Sequence, residues 1–126
     1  MELDDYQSLR IDRTPKGVTE VVLDNPERLN AVDIEGHREL TYVWNDLATD
    51  PGTRVVLLRA EGRAFSAGGD FSLIEAMMTD PTTHRRTLGE ARDLVRNVIE
   101  CPKPIVSAIN GPAVGAGLAA ALLADI

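Results

Sequence analysis

The chain has 126 residues, enough for one ordinary domain, and 44% hydrophobic with 26% charged side chains is the balance of a globular protein. Thirteen Lys and Arg against 20 Asp and Glu leave a net charge of −7, which argues against nucleic acid and anionic membranes as main partners. A single cysteine, Cys101, excludes an internal disulfide and fits a reducing, cytoplasmic setting.

Taken in chain order, residues 8–13 and 18–23 flank Thr14-Pro15-Lys16-Gly17, and Pro followed by Gly predicts a β-hairpin. The acidic start, Met1-Glu2-Leu3-Asp4-Asp5, lacks the basic head and apolar middle of a signal peptide. Asp24-Asn25-Pro26-Glu27-Arg28 closes the second strand. Asp33 can cap a helix reaching about Ala48, with Ile34, His37, Leu40, Trp44 and Leu47 on one face. His37 on that face reads as a core or interface residue rather than a ligand. Asp50-Pro51-Gly52 ends the segment, and residues 54–59 form a short apolar run with the signature of a buried strand.

A glycine-rich turn follows, then Asp80-Pro81 as N-cap and first residue of another helix. Leu88, Ala91, Leu94, Val95, Val98 and Ile99 give its stripe, and Pro102 stops it. Cys101 reads as a small residue at that helix end rather than a nucleophile. Residues 105–109 predict a second buried strand, broken by Asn110-Gly111-Pro112, and Gly115 to about Ala124 a small-residue apolar helix. Strands alternating with helices imply an α/β fold with parallel pairing. No charge-free apolar run reaches about 18 residues, so no membrane-spanning helix is expected. The chain stops at Ile126, and Leu118, Leu122, Leu123 and Ile126 need cover, so the expectation is the N-terminal part of a longer protein.

Two motifs carry chemistry. Arg63-Ala64-Phe65-Ser66-Ala67-Gly68-Gly69-Asp70 follows a buried strand, where α/β proteins place ligand sites. Its adjacent glycines allow close backbone approach, and Asp70 can serve simply as a helix cap. Asn110-Gly111-Pro112-Ala113-Val114-Gly115-Ala116-Gly117 also follows a strand and opens a helix, whose free N–H groups and dipole favour negative charge. Two such turns can converge on one oxygen and stabilise a developing oxyanion. Gly115-Ala116-Gly117-Leu118-Ala119-Ala120 also matches the dinucleotide fingerprint, but it stands five residues from the strand end, and the acidic residue about 20 positions on cannot be checked. One Cys and two distant His, His37 and His84, give no metal-ligand spacing. Ser66 lacks the G-x-S-x-G context of a hydrolase nucleophile.

Three segments together resemble the crotonase superfamily, the enoyl-CoA hydratase/isomerase family. Leu23-Asp24-Asn25-Pro26-Glu27-Arg28-Leu29-Asn30-Ala31-Val32 is similar to its L-N-P…N-A-L segment, and Ala64 to Phe71 to its A-F-x-A-G-x-D segment. Pro104 through Asp125 is similar to its K-P-x-I-A-A-x-x-G-x-A-x-G-G-G segment. The likeness covers nearly the whole chain and about half of a typical member. It implies a crotonase-like ββα spiral core over residues 1–126, lacking the C-terminal helical region, and an acyl-CoA or enoyl-CoA thioester as ligand.

The resemblance further implies that the backbone N–H groups of Gly69 and Ala116 form an oxyanion hole, and that Arg28, Ala31, Ala67, Gly68, Asp70 and Phe71 line the substrate channel. Coenzyme A enters as part of the substrate, with no separate cofactor or metal, and a homotrimer or hexamer is the implied assembly. The family's hydratases use two glutamates. The first falls where this chain has Ala119, which transfers no proton, and the second would lie beyond Ile126. Asp70 and Glu75, the nearest carboxylates, read as a cap and a solvated side chain. Three functions follow as expectations: an enoyl-CoA hydratase or isomerase, a catalytically impaired acyl-CoA-binding or assembly subunit, and, less well matched, a dinucleotide-binding domain.

Overall fold

In the computed structural model, which describes residues 2–126, the chain reverses at residues 14–17 between β1 (Leu9–Arg13) and β2 (Val18–Leu23). The Thr14 N–H donates to the Val18 carbonyl at 2.9 Å, and the turn closes with Gly17 at φ 88°, a conformation glycine adopts without a Cβ penalty. β3 (Val55–Ala60) lies parallel to β2, and β4 (Ile105–Ser107) parallel to β3, giving the sheet order β1-β2-β3-β4. Only the hairpin pair is antiparallel. Helices make the crossovers, α1 (Ile34–Thr49) between β2 and β3, and α2 (Phe71–Thr79) with α3 (Pro81–Glu100) between β3 and β4, while α4 (Gly115–Leu123) follows β4.

Three helix starts are set by aspartates. Asp33 accepts from the Gly36 N–H at 2.7 Å, Asp70 from the Leu73 N–H at 3.0 Å, and Asp80 from the Thr82 N–H at 3.1 Å. Each satisfies a donor that the first helical turn leaves without a partner. α1 buries Leu40, Val43, Trp44 and Leu47, and these meet Val21, Val56, Leu58, Phe65, Leu94 and Val98 in one core. Trp44 is fully buried, and its indole N–H is satisfied by the Leu40 carbonyl at 2.7 Å.

Buried polar side chains join segments distant in sequence. Glu39 accepts the N–H groups of Gln7, Ser8 and Leu9 at 2.7, 2.8 and 2.9 Å, fastening the start of β1 to α1. His37 meets Glu90 at 2.8 Å between α1 and α3, so it is a core residue, as its position on the apolar face suggests. The last residues run along the outer edge of β4. The Ile105 N–H donates to the Asp125 carboxylate at 2.8 Å and the Ser107 N–H to the Ile126 carbonyl at 2.8 Å.

The structure departs from the sequence reading in three places. Residues 71–79 form their own helix, separated from α3 only by Asp80, which ends one helix and caps the next. On α3 the inward face is Thr87, Glu90, Leu94 and Val98, while Leu88, Val95 and Ile99 are exposed. β4 is three residues long rather than five, though the Ala108 N–H still reaches the Leu58 carbonyl at 2.9 Å. Among the described residues, no helix is long and apolar enough to cross a membrane.

Candidate active site

Both glycine-rich turns leave the same end of the sheet, one after β3 and one after β4, as two neighbouring parallel strands require. They are bonded directly to each other. The Phe65 and Ser66 N–H groups donate to the Pro112 carbonyl at 2.9 and 3.1 Å, and the Val114 N–H returns a bond to the Ser66 carbonyl at 2.9 Å. This is an isolated parallel bridge between Ser66 and Ala113. A second bridge joins Val32 to Gly69: the Val32 N–H donates to the Gly68 carbonyl at 2.7 Å, and the Asp70 N–H to the Val32 carbonyl at 2.9 Å.

That second bridge fixes where Gly69 points. In a parallel pairing, the residues on either side of the bridging one supply the ladder bonds. Gly68 and Asp70 therefore face Val32, and the Gly69 N–H is turned away from it. It has no acceptor among the described residues, and Gly69 is exposed. Ala116 is the second residue of α4. Its N–H has no earlier helical carbonyl to use, and Val114 offers no side-chain cap. The two uncommitted donors thus stand on turns laced by main-chain bonds, the second with the helix dipole behind it.

Close approach demands the small residues here. A Cβ on Gly115, which has φ 66°, would lie 3.1 Å from the Gly68 Cα and 3.8 Å from the Gly69 nitrogen. A Cβ on Gly117 would lie 2.5 Å from the Ser66 Cβ. Either would push the turns apart. Ser66 is fully buried. Its hydroxyl donates to the Asn30 carbonyl at 3.0 Å and accepts from the Gly68 N–H at 3.2 Å, so its work is positional and not nucleophilic.

The sequence-expected residues fall around these turns. Asp70 caps α2, as the plain reading of it held. Burial pushes its carboxyl pKa up, but the Ser72 hydroxyl at 2.6 Å, the Leu73 N–H and the Arg28 charge outweigh this and hold it below the usual range. An ionised cap of this kind is a poor proton donor at neutral pH. Arg28 ends a short 3-10 turn, is exposed, and has no ion-pair partner among the described residues. Arg10 and Arg59, by contrast, are occupied by Asp12, Glu20, Asp24 and Glu61 on the sheet.

Ala31 is half-buried and lines a recess of about 270 Å³ with Asn25, Asn30 and Asp33. Ala67 donates its N–H to the Leu29 carbonyl at 2.9 Å and lines an apolar recess of about 330 Å³ with Leu29, Arg63, Pro112 and Val114. Gly68 is buried at φ 86°. Phe71 is 90% exposed at the start of α2. Ala119 is half-buried on α4, and Glu75 is exposed on α2. Burial pushes the Cys101 thiol pKa up, consistent with an inert helix-end residue. No group of three or more His, Cys, Asp or Glu among the described residues could hold a metal ion.

One residue that builds the site was not singled out by sequence reasoning. Asn30 is 3% exposed, in the left-handed region at φ 55°. It accepts from the Asn25 N–H at 2.7 Å and donates to the Glu61 and Ala64 carbonyls at 2.9 and 3.0 Å. It thereby pins the 24–32 segment to the turn after β3. The signal was an Asn closing a Pro-containing turn, the residue type that tolerates positive φ.

The family model for enoyl-CoA hydratase/isomerase matches residues 13–126. The chain is 36% identical over 121 residues to a 1,2-epoxyphenylacetyl-CoA isomerase of Escherichia coli, covering 92% of this chain and 45% of that protein. It is 31% identical over 130 residues to a mitochondrial Delta(3,5)-Delta(2,4)-dienoyl-CoA isomerase of Pongo abelii, covering 96% and 40%. The crystal structure of an enoyl-CoA hydratase/isomerase from Mycobacterium paratuberculosis superposes with a TM-score of 0.90 at 34% identity, covering 94% of this chain and 47% of that one. The chain spans less than half the length of each of these relatives. A match that begins in β1 and runs through both laced turns, on the same fold, makes this chain a member of the enoyl-CoA hydratase/isomerase family, within the crotonase superfamily.

Proposed function

We propose that the protein binds the thioester carbonyl of an acyl-CoA between the N–H groups of Gly69 and Ala116 and stabilises the enolate that forms there, in a hydration or isomerisation of an enoyl-CoA. The observation that carries this reading is the lacing of the two turns, which leaves these two donors without acceptors on adjoining main-chain segments. Preorganised donors of this kind lower a barrier because they need no rearrangement as charge develops, and one donor is worth about 10²–10³ in rate. Arg28 and Arg63 supply free cations for the nucleotide phosphates of coenzyme A. Ala31, Ala67, Gly68, Asp70 and Phe71 border the path between those cations and the carbonyl. The names of the relatives support a CoA thioester as substrate, and with it we propose that coenzyme A enters as part of the substrate, with no separate cofactor. A homotrimer or hexamer is the assembly we propose with it.

Ala119 favours a second reading, a subunit that holds acyl-CoA but moves protons poorly. It occupies the first glutamate position, and Asp70 is committed to capping. Crotonyl-CoA hydration and 3-enoyl-CoA isomerisation assays, run beside calorimetry with CoA, separate the two. The enzyme reading expects turnover that falls at least tenfold when Ala116→Pro removes one donor. Binding without turnover of any enoyl-CoA sinks it and favours the holding subunit, for which Ala119→Glu is expected to raise hydration from the background.

A further inference from the structure

An asparagine amide can be attacked by the main-chain nitrogen of the next residue, if that N–H is free to lose its proton and the backbone there can turn. The chain has five asparagines, and four are barred. Asn25 precedes Pro26, which has no N–H. Asn30 is 3% exposed with its amide bonded at both ends, and the Ala31 N–H donates to the Arg28 carbonyl at 3.0 Å. Asn45 and Asn97 lie inside α1 and α3, where the following N–H belongs to the helix ladder. Asn110 differs on each count. It is exposed and lies between β4 and α4. Gly111 follows it, with no side chain to hinder approach and no main-chain acceptor for its N–H among the described residues. The packing nevertheless requires both halves of this pair. The Asn110 Nδ2 donates to the Gly62 carbonyl at 2.7 Å and reaches the Ala64 carbonyl at 3.4 Å. A Cβ on Gly111 would lie 2.2 Å from the Arg63 carbonyl oxygen and 3.3 Å from the Ala64 Cα. The seat of the turn after β4 on the turn after β3 is therefore built from a reactive dipeptide.

We propose that Asn110 is a site of spontaneous deamidation, and that its conversion loosens the turn that carries the Ala116 N–H. The Gly111 nitrogen, having lost its proton, bonds to the Asn110 Cγ. The Cγ–Nδ2 bond breaks, ammonia leaves with the proton, and a cyclic succinimide closes. Water then opens either ring carbonyl, giving aspartate or isoaspartate. Aspartate sets an anionic oxygen, in place of an N–H donor, against the Gly62 and Ala64 carbonyls. Isoaspartate routes the main chain through the former side chain, lengthening it by a methylene just ahead of Pro112 and Val114. Those two residues make the bonds to Phe65 and Ser66 that lace the turns, so either product pulls on the lacing.

Peptide mapping by mass spectrometry, on protein warmed while folded at neutral and at alkaline pH, tests this. Conversion is expected at residue 110, as a mixture of aspartate and isoaspartate. It is expected to run faster at the higher pH, because the attacking nitrogen must lose its proton, with the other four asparagines intact. Asn110→Gln, whose ring closure is larger and slower, is expected to stay unconverted. The aged fraction, separated by its added negative charge, is expected to melt about 4 °C lower than fresh protein, the scale of one lost hydrogen bond. Its Phe65, Ser66 and Val114 amides are expected to exchange about fivefold faster. Asn110→Asp installs the aspartate product directly and is expected to reproduce both changes; should it fail to fold, the aged fraction carries the measurement. Earlier conversion at any other asparagine overturns the proposal. So does an Asn110 that stays intact in the folded protein while the urea-unfolded chain converts there. Conversion at residue 110 that leaves melting and exchange unchanged overturns the loosening of the turn.

Discussion

Asp70 stands at the end of the glycine-rich turn and does the work of a cap. Its carboxylate is held ionised by the Ser72 hydroxyl, the Leu73 N–H and the Arg28 charge, against the effect of burial. Asp70→Ala is expected to cost about 1 kcal/mol at pH 7 by urea denaturation, the usual worth of an N-cap. Because the folded pKa lies below the unfolded one, the wild-type advantage is complete above about pH 4. It fades as pH falls through the folded value, so the two urea curves converge in acid. Glu39 is a stronger case at the same scale. Its carboxylate is the acceptor for three backbone N–H groups. Glu39→Ala leaves these donors facing a pocket where a 2%-exposed side chain stood, and is expected to destabilise by about 3 kcal/mol, read from the urea midpoint.

Element boundaries were legible where a local rule acts alone. Pro-Gly chemistry marks the hairpin, and Asp33 and Asp80 mark two helix starts before the chain folds around them. The start of α2 was signalled by Asp70, but not its extent as a separate helix, because its exposed apolar residues give no polar face to contrast with and Asp80-Pro81 masked its end. The α3 stripe was right at Leu94 and Val98, which are buried, and wrong at Leu88, Ala91, Val95 and Ile99, for a different reason. Residues 88, 91, 95 and 99 and residues 87, 90, 94 and 98 both recur at helical spacing, and the more apolar set is not the buried one. The core accepts the polar Thr87 and Glu90 because His37 on α1 meets Glu90 there. Partners on another helix are invisible to periodicity along one. Leu94→Ala is accordingly expected to cost about 3 kcal/mol by thermal and urea denaturation. Leu88→Ala, on the exposed face, is expected to change stability by under about 0.5 kcal/mol.

At the scale of the molecule, the candidate site was legible as two turns, but their contact was not. Gly69 follows β3 and Ala116 follows β4, and only the finished sheet brings their turns together. The residues that seat them, Asn30 and Ser66, act through bonds to carbonyls and N–H groups that no side-chain pattern records. A site assembled this way is thermodynamically tied to the β3–β4 pairing. Any fluctuation that separates the two strands also removes the pair of donors. Ligand held there at 100 times its dissociation constant is therefore expected to add about 2.7 kcal/mol to global stability. It is also expected to slow amide exchange at Phe65, Ser66 and Val114 by up to about a hundredfold, with the solvent-exposed face of α3 unchanged. Exchange that slows near Gly69 alone would mean that the turns open independently.

The lacing bonds have one more consequence, for how this chain can change over generations. Main-chain bonds between Phe65, Ser66, Pro112 and Val114 do not depend on which side chains those residues carry, beyond their being small enough to approach. The two free N–H groups can therefore be retained while neighbouring side chains are exchanged, and a position such as 119 can gain or lose an acid without breaking the bonds between the turns. Ala119, half-buried on α4 one turn beyond Ala116, is such a position, since none of the lacing bonds involves it.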